Sequence, residues 1–376
     1  MSNSFGVLYK ISSFGESHSP AVGVTIDGCP SGYELSLEKI QNFLDRRRPG
    51  QSSVTSPRQE SDRLKVLSGL NRAGVTLGTP LAFLVENTDV RGKDYTDLNQ
   101  VFRPSHGDYT TLAKYGIIAD SGGGRSSARE TIARVIAGAV AEQILEKLYP
   151  SLRVLAYVES IKNIRVDNLD LEKLTREKID QHPVRCPALK IAERMQAAIL
   201  DASAQGDSLG GVIKCFVLQA PVGLGDPVFD KLEARLAAAM MSIPAVKGFE
   251  IGSGFAAAEM YGSEHNDAFV KDQKSGAVTT SSNFSGGIQA GISNGEVIYF
   301  RIAFKPVATI KKPQKTLNRV TKDEVKIEKI EGRHDACVVP RAVPIVEAMA
   351  LNVLLDAVLR QKSVEHCRGT FADYIS

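Results

Sequence analysis

Apolar positions recur along this chain at two spacings, and each spacing predicts a different element. Ile132, Val135, Ile136, Ala139, Val140 and Ile144 follow the i, i+3, i+4, i+7 pattern, and small alanines fill much of the remaining circumference. A helix buried on more than one side is expected there, with a second long apolar helix over 342–359. Leu37, Ile40 and Leu44 mark the buried face of an amphipathic helix starting near Ser36. By contrast, Val297, Tyr299, Arg301 and Ala303 alternate with Ile298, Phe300, Ile302 and Phe304, the period of two that belongs to a strand.

The same segments recur in the same order. A strand at 22–26, the turn Pro30-Ser31-Gly32 and the helix near Ser36 match a strand at 212–218, Pro221-Val222-Gly223 and a helix from about Val228. Gly69, Ala73, Gly74 and Gly78 precede the strand 81–86, and Gly286, Ala290, Gly291 and Gly295 recur at the same spacing before 297–305. Gly124-Arg125 stands ahead of the first apolar helix and Gly332-Arg333 ahead of the second. Three matches in order point to an internal duplication. The expected fold is α+β: a sheet–helix–sheet sandwich with pseudo-twofold symmetry, antiparallel sheets lying outside a central helical layer. All of 1–376 is read as one domain, with half-repeats at about 1–149 and 207–376 and a charged, helix-prone insertion at about 150–206.

Composition narrows the function without naming it. A net charge of +3 is too small to suggest nucleic acid as the partner unless arginines gather on one face. The five cysteines are scattered, with no Cys-x-x-Cys pair or zinc-like spacing, and are expected to be reduced and mostly structural. No basic leader followed by an apolar core opens the chain, and no stretch is expected to reach the ~20 apolar residues of a membrane span. A cytoplasmic protein with no membrane partner is the expectation.

Candidate chemistry lies in the loops. Asp120-Ser121-Gly122-Gly123-Gly124-Arg125-Ser126-Ser127-Ala128-Arg129 joins a glycine loop to two arginines, hydroxyls and a helix start. Such a start leaves N–H groups unpaired and presents the positive end of the helix dipole, a cradle for phosphate. His18 and His106 sit among turn formers, where a histidine can exchange protons at neutral pH or simply bond the backbone. Arg46, Arg47 and Arg48 cannot share one helix face, so some point to solvent or to an anion, and Arg58 and Arg63 add to the supply. Asp335 among Arg333, His334 and Arg341 is expected to stay ionised, as a base, an orienting group or half of a salt bridge. Lys305 closes a strand and could offer a cation at a sheet end.

These motifs, with Ala245-Val246-Lys247-Gly248 and Arg341-Ala342-Val343-Pro344, resemble the chorismate synthase family in colinear order over nearly the whole chain. The resemblance implies conversion of 5-enolpyruvylshikimate 3-phosphate to chorismate and phosphate, a 1,4-anti elimination needing reduced FMN without net oxidation. It implies that His18 protonates the reduced flavin, His106 the departing phosphate, and that Asp335 assists proton or hydrogen removal from C6. FMN would be held by Arg125, Ser126, Ser127, Ala245, Ala290, Lys305, Pro306, Val307, Ala308, Thr309 and Arg333, and the substrate's anions by Arg47, Arg103 and Arg129. A homotetramer is implied too. The flavin is expected to be reduced externally, ultimately from NAD(P)H, with a separate flavin reductase as a candidate partner.

Three positions depart from the family pattern: Pro244 where an amide side chain is common, Ala290 where glycine is usual, and Ser53 where many members carry a basic residue. Two other classes share some features. A flavin- and NADPH-dependent oxidoreductase would consume reductant at every turnover, and an RNA-binding protein would lose affinity steeply with salt.

Overall fold

The computed structural model describes residues 3–51, 60–88, 100–119, 123–167, 169–273, 276–328 and 335–369. Its first sheet holds β1 (Ser4–Phe5), β2 (Lys10–Gly15), β3 (Ala21–Asp27), β4 (Leu64–Ser68) and β5 (Leu81–Glu86) in the order β1-β2-β3-β5-β4, with every pairing antiparallel. Helix α1 (Leu37–Arg47) intervenes between β3 and β4. Ser36 caps α1 by accepting from the Lys39 amide, so the predicted start is correct. Leu37, however, is 42% exposed, and the inward face is Ile40, Phe43, Leu44 and, unexpectedly for a cation, Arg47.

Helix α2 (Asp108–Tyr115) precedes α3 (Thr131–Leu148), the first of the two apolar helices. A second antiparallel sheet follows in the order β7-β6-β8-β14-β9. It is built from β6 (Arg153–Ile161), β7 (Ile164–Arg165), β8 (Gly211–Leu218), β9 (Val246–Ile251) and β14 (Ile298–Phe304). Helices α4 (Arg176–Asp180) and α5 (Leu189–Ala204) lie between β7 and β8; α6 (Leu232–Met241) precedes β9 and α7 (Gly262–His265) follows it. Three hairpins complete the strands: β10 (Phe269–Lys271) with β11 (Val278–Thr280), β12 (Ile288–Gln289) with β13 (Ile292–Ser293), and β15 (Gln314–Leu317) with β16 (Glu324–Ile327). The chain closes with α8 (Val339–Cys367).

Two expectations need correction. Residues 153–161 lie inside the stretch read as an insertion, yet they form β6, paired along its length with β8, and all but Arg153 are buried. Charge in the neighbouring helices obscured an apolar strand. The proposed helix from about Val228 begins at Leu232, after a turn that leaves Val228 and Phe229 exposed.

The core is the contact between α3 and α8. Helix α3 packs on β2, β3 and β5 of the first sheet, α8 on β6 and β8 of the second, and the two helices on each other. At Gly138 the backbones come so close that an added Cβ would stand 2.4 Å from that of Ala348. Helix α8 is also long and apolar enough to cross a membrane, against the sequence expectation, but 89% of its most apolar window is buried inside the protein. It is a core helix, apolar all round because protein surrounds it. Cys29, Cys186, Cys215 and Cys337 are buried free thiols, and burial pushes Cys29 and Cys337 up to about 12, so they behave as small apolar side chains.

Candidate active site

The segment ahead of α3 is not a simple helix start. Gly124, at φ +51, opens a 3-10 turn over Gly124–Ser126, and Ser127 caps a second over Ala128–Glu130, its hydroxyl accepting from the Arg129 amide at 3.3 Å. The α-helix proper begins only at Thr131. The cradle is therefore a pair of tight turns whose serine hydroxyls face a cavity, with α3 mounted behind.

That cavity, about 740 Å³, has walls from distant parts of the sequence. His106, Arg125, Ser126 and Ser127 come from the first half; Ala245, Lys305, Val307, Ala308 and Thr309 come from the second. The two strands carrying the far wall are joined where the Lys305 amide donates to the Ala245 carbonyl at 2.9 Å, and Ser208 Oγ holds the Val307 carbonyl at 2.8 Å. Burial, reinforced by Lys247, lowers the Lys305 ammonium from its ordinary value. Arg134, Ser242 and Glu130 also border the cavity; they escaped the sequence reading because nothing in their local motif sets them apart from core-helix polar residues.

Arg125 reaches across to the first sheet. Its guanidinium donates to the Gly15 carbonyl at 2.8 Å and to Ser13 Oγ at 2.6 Å. This ties the cradle to the turn after β2, where Ser17 Oγ lies 2.9 Å from His18 Nδ1. Asn87 fastens the other side of that turn, donating to the Glu16 carbonyl at 3.0 Å while accepting from Arg129 Nε at 2.7 Å. His18 is half-buried and does not line the cavity.

The three arginines expected on substrate are all buried. Arg47 and Arg129 converge on Asp62: Arg47 at 2.7 Å through one oxygen and Arg129 at 2.5 Å through the other. Burial alone would raise the Asp62 carboxyl, but the two guanidinium groups together hold it below its ordinary value. Arg47 itself is pushed down to about 10, by burial first, against the pull of Asp62 and with Arg341 and Arg129 adding repulsion. Its Nε is buried without a hydrogen-bond partner among the described residues. Arg47 and Arg341 border a second space of about 60 Å³ that shares Ala128, Pro244, Ala245 and Val338 with the large cavity. Arg341 in turn donates to Asp335 at 2.5 Å.

Arg103 stands elsewhere. Its Nε and Nη2 grip Asp108 at 2.8 and 2.7 Å, so its guanidinium braces the His106 loop and lines neither cavity. Ala290 is also apart, at the tip of the β12–β13 hairpin near the start of α6, and Pro306 packs on Gly210 instead of the cavity. Arg333, Ser53 and Arg58 lie outside the described residues. Among the described residues no group of three His, Cys, Asp or Glu side chains could hold a metal ion.

The chorismate synthase family profile matches residues 9–359. The chain belongs to the chorismate synthase family. Chorismate synthases of Prochlorococcus marinus strain MIT 9301 and Synechococcus sp. strain WH7803 are 56% and 55% identical to it, over 96% of this chain and 97% and 98% of theirs. A crystal structure of chorismate synthase superposes with a TM-score of 0.73 at 31% identity, covering 95% of this chain and 93% of that one. Every strand but β1, together with α3, most of α8 and every cavity-lining residue from Ile11 onward, falls within the stretch that matches the chorismate synthase profile.

Proposed function

We propose that this enzyme is a carbon–oxygen lyase that eliminates phosphate from 5-enolpyruvylshikimate 3-phosphate in a 1,4-anti sense, giving chorismate. The observation that carries the reading is the 740 Å³ cavity, which gathers nine of the residues expected to serve FMN or the leaving phosphate from both ends of the chain. Its size suits a cofactor-sized ligand, and its wall of guanidinium, ammonium and hydroxyl groups suits a phosphate-bearing one. Arg125, Ser126, Ser127, Lys305 and Thr309 would hold the flavin, with Ala245, Val307 and Ala308 supplying apolar contact. Reduced FMN would supply an electron-rich ring that is returned unchanged at the end of each turnover.

The chain's own groups handle the protons and the anions. His106, on the cavity wall, would donate to the departing phosphate as the carbon–oxygen bond breaks. Arg47, with its unpaired Nε, and Arg341 across the smaller space suit a carboxylate or phosphate of the substrate. Arg129 would act from beside Asp62, and Asp335, oriented by Arg341, would help take up hydrogen from C6. His18 would keep the flavin in its protonated reduced form. Arg103 serves this site through the His106 loop in our reading, in place of direct substrate contact.

Substrate loses one proton and one phosphate, so no reductant is consumed. An anaerobic assay with 5-enolpyruvylshikimate 3-phosphate and reduced FMN should yield chorismate and phosphate in equal amounts while the flavin stays reduced. Oxidised FMN alone should give neither. Stoichiometric loss of reduced flavin would favour an oxidoreductase instead. We further propose a cytoplasmic homotetramer supplied with flavin reduced from NAD(P)H by another protein. The like strand orders β2-β3-β5-β4 and β6-β8-β14-β9, each followed by an apolar helix, support an origin by internal duplication.

A further inference from the structure

Among the described residues His106 is the one imidazole on the cavity wall, and its surroundings are built with more care than proton donation alone requires. Its Nδ1 lies 2.7 Å from Asp108 Oδ1, with the carboxylate 93% buried. Arg103 closes on both oxygens of that carboxylate at 2.8 and 2.7 Å, and the Arg103 amide donates to Oδ2 at 3.2 Å. A second guanidinium arrives from the β15–β16 turn: Arg319 Nη2 stands 3.6 Å from Oδ2, and Arg319 Nε donates to the Val101 carbonyl at 2.6 Å. Asp108 is thereby held well below the usual carboxylate range, against burial, chiefly by its bonds to Arg103 and His106.

A buried carboxylate that accepts from one ring nitrogen decides where a neutral imidazole carries its proton. We propose that Asp108 is a positioning residue for His106, fixing the Nδ1–H tautomer and turning Nε2 to the cavity, and that Arg319 holds Asp108 in the orientation that does so. The proposal rests on His106 as the proton donor to phosphate. The backbone agrees with it: Ser105 takes a left-handed φ of +55, which places His106 over the start of α2, where Asp108 is the first residue. Arg319 reaches this point because the hairpin is stitched to the loop, with the Phe102 amide donating to the Leu317 carbonyl at 3.1 Å. The other charged groups facing the ring across the cavity are Arg125, Glu130, Arg134 and Lys305, none of them bonded to it in the structure.

The test combines a spectroscopic signature with kinetics. In the full-length enzyme labelled with ¹⁵N-histidine, the His106 signal is assigned by its loss in His106→Gln. At alkaline pH the parent should show the neutral ring protonated on Nδ1; a ring protonated on Nε2 would overturn the proposal. Asp108→Asn should lower kcat by roughly 10²-fold or more, on the scale of losing a tautomer-fixing carboxylate, while KM for the substrate changes less than about threefold. Arg319→Met should lower kcat about tenfold in the same way, and Arg319→Lys should restore most of it. Should Asp108→Asn fail to fold, the Arg319 pair decides. A parallel loss in KM, or no rescue by lysine, would show a merely structural contact. If the Nδ1–H tautomer is present and depends on Asp108 while kcat does not follow, the positioning stands and the role of His106 in phosphate departure falls.

Discussion

Two carboxylates in this enzyme each bind two arginines, and they do different work. Asp62 sits between Arg47 and Arg129, fully enclosed, with all three side chains at most 3% exposed. Asp108 sits between Arg103 and Arg319 with similar burial, but it also holds His106, which is 19% exposed on the cavity wall. The first cluster includes a second buried carboxylate, Glu60, 3.5 Å from Arg129, so its two cations meet two anions in a fixed ionic block. The second spends its charge balance on a single imidazole and leaves that ring reachable. A carboxylate gripped by two arginines is thus part of a buried ionic block in one place and holds an imidazole at a cavity wall in the other. What differs is whether a titratable neighbour is admitted to the carboxylate.

The comparison predicts opposite responses to removal of charge. Asp62→Asn leaves the buried Arg47 without its carboxylate and Arg129 with only Glu60 at 3.5 Å, so it should destabilise the fold by about 3–5 kcal/mol, seen as a large drop in melting temperature. Added phosphate should recover part of that loss by binding the freed arginines, and no recovery would mean the block is closed to anions. His106→Ala should do the reverse, lowering turnover by roughly 10²–10⁴-fold with the melting temperature close to the parent's. A folded His106→Ala enzyme of near-normal turnover would remove the functional half of the contrast.

Acid should expose both carboxylates. Asp62 and Asp108 are held below their ordinary values in the folded protein, so the unfolded chain binds protons more readily at low pH. The stability they add is complete above about pH 5 and is lost progressively as pH falls through the unfolded carboxylate range of ~4 toward the lower folded values. Urea unfolding of the parent should therefore weaken steadily below that point, and Asp108→Asn should show a shallower fall. The smallest effect concerns neither triad. Ala290 stands at φ +52, where an L side chain is strained, so Ala290→Gly should stabilise by about 0.5–1 kcal/mol without altering turnover. A change in FMN affinity in that variant would place the hairpin closer to the ligand than its position near α6 implies.

Much of this architecture was legible from local pattern. The period of two at 297–304 became β14, the alanine-rich period of 3.6 became α3, and the glycines at 69, 74, 78, 286, 291 and 295 all adopt positive φ, as turn residues with no Cβ can. The loops at 105–107 and 125–128 line the cavity, and their hydroxyl, glycine and cation chemistry is written in adjacent residues. The counter-ions were not legible, because Asp62 meets Arg129 across 67 positions and Arg319 meets Asp108 from a separate hairpin. Only the fold sets those distances. Asp108 was the exception, two residues beyond His106 in the same loop, where an acidic neighbour of a loop histidine is itself a signal. Burial of Arg47 on the inner face of α1 ran against the usual rule that arginine leaves the core, so periodicity put Leu37 there instead.

The close crossing at Gly138 and Ala348 binds the evolutionary histories of the two halves together. Residue 138 lies seven positions into α3 from Thr131, about 10 Å from the helix start that carries the cradle, and residue 348 a similar distance into α8 from Val339. A larger side chain at either position would wedge the helices apart and carry that displacement to both ends of the cavity. Position 138 already has nothing left to give up, so any growth at 348 must be absorbed by sliding one half past the other. Either half is free to drift in its outer loops, but at this contact neither can change alone.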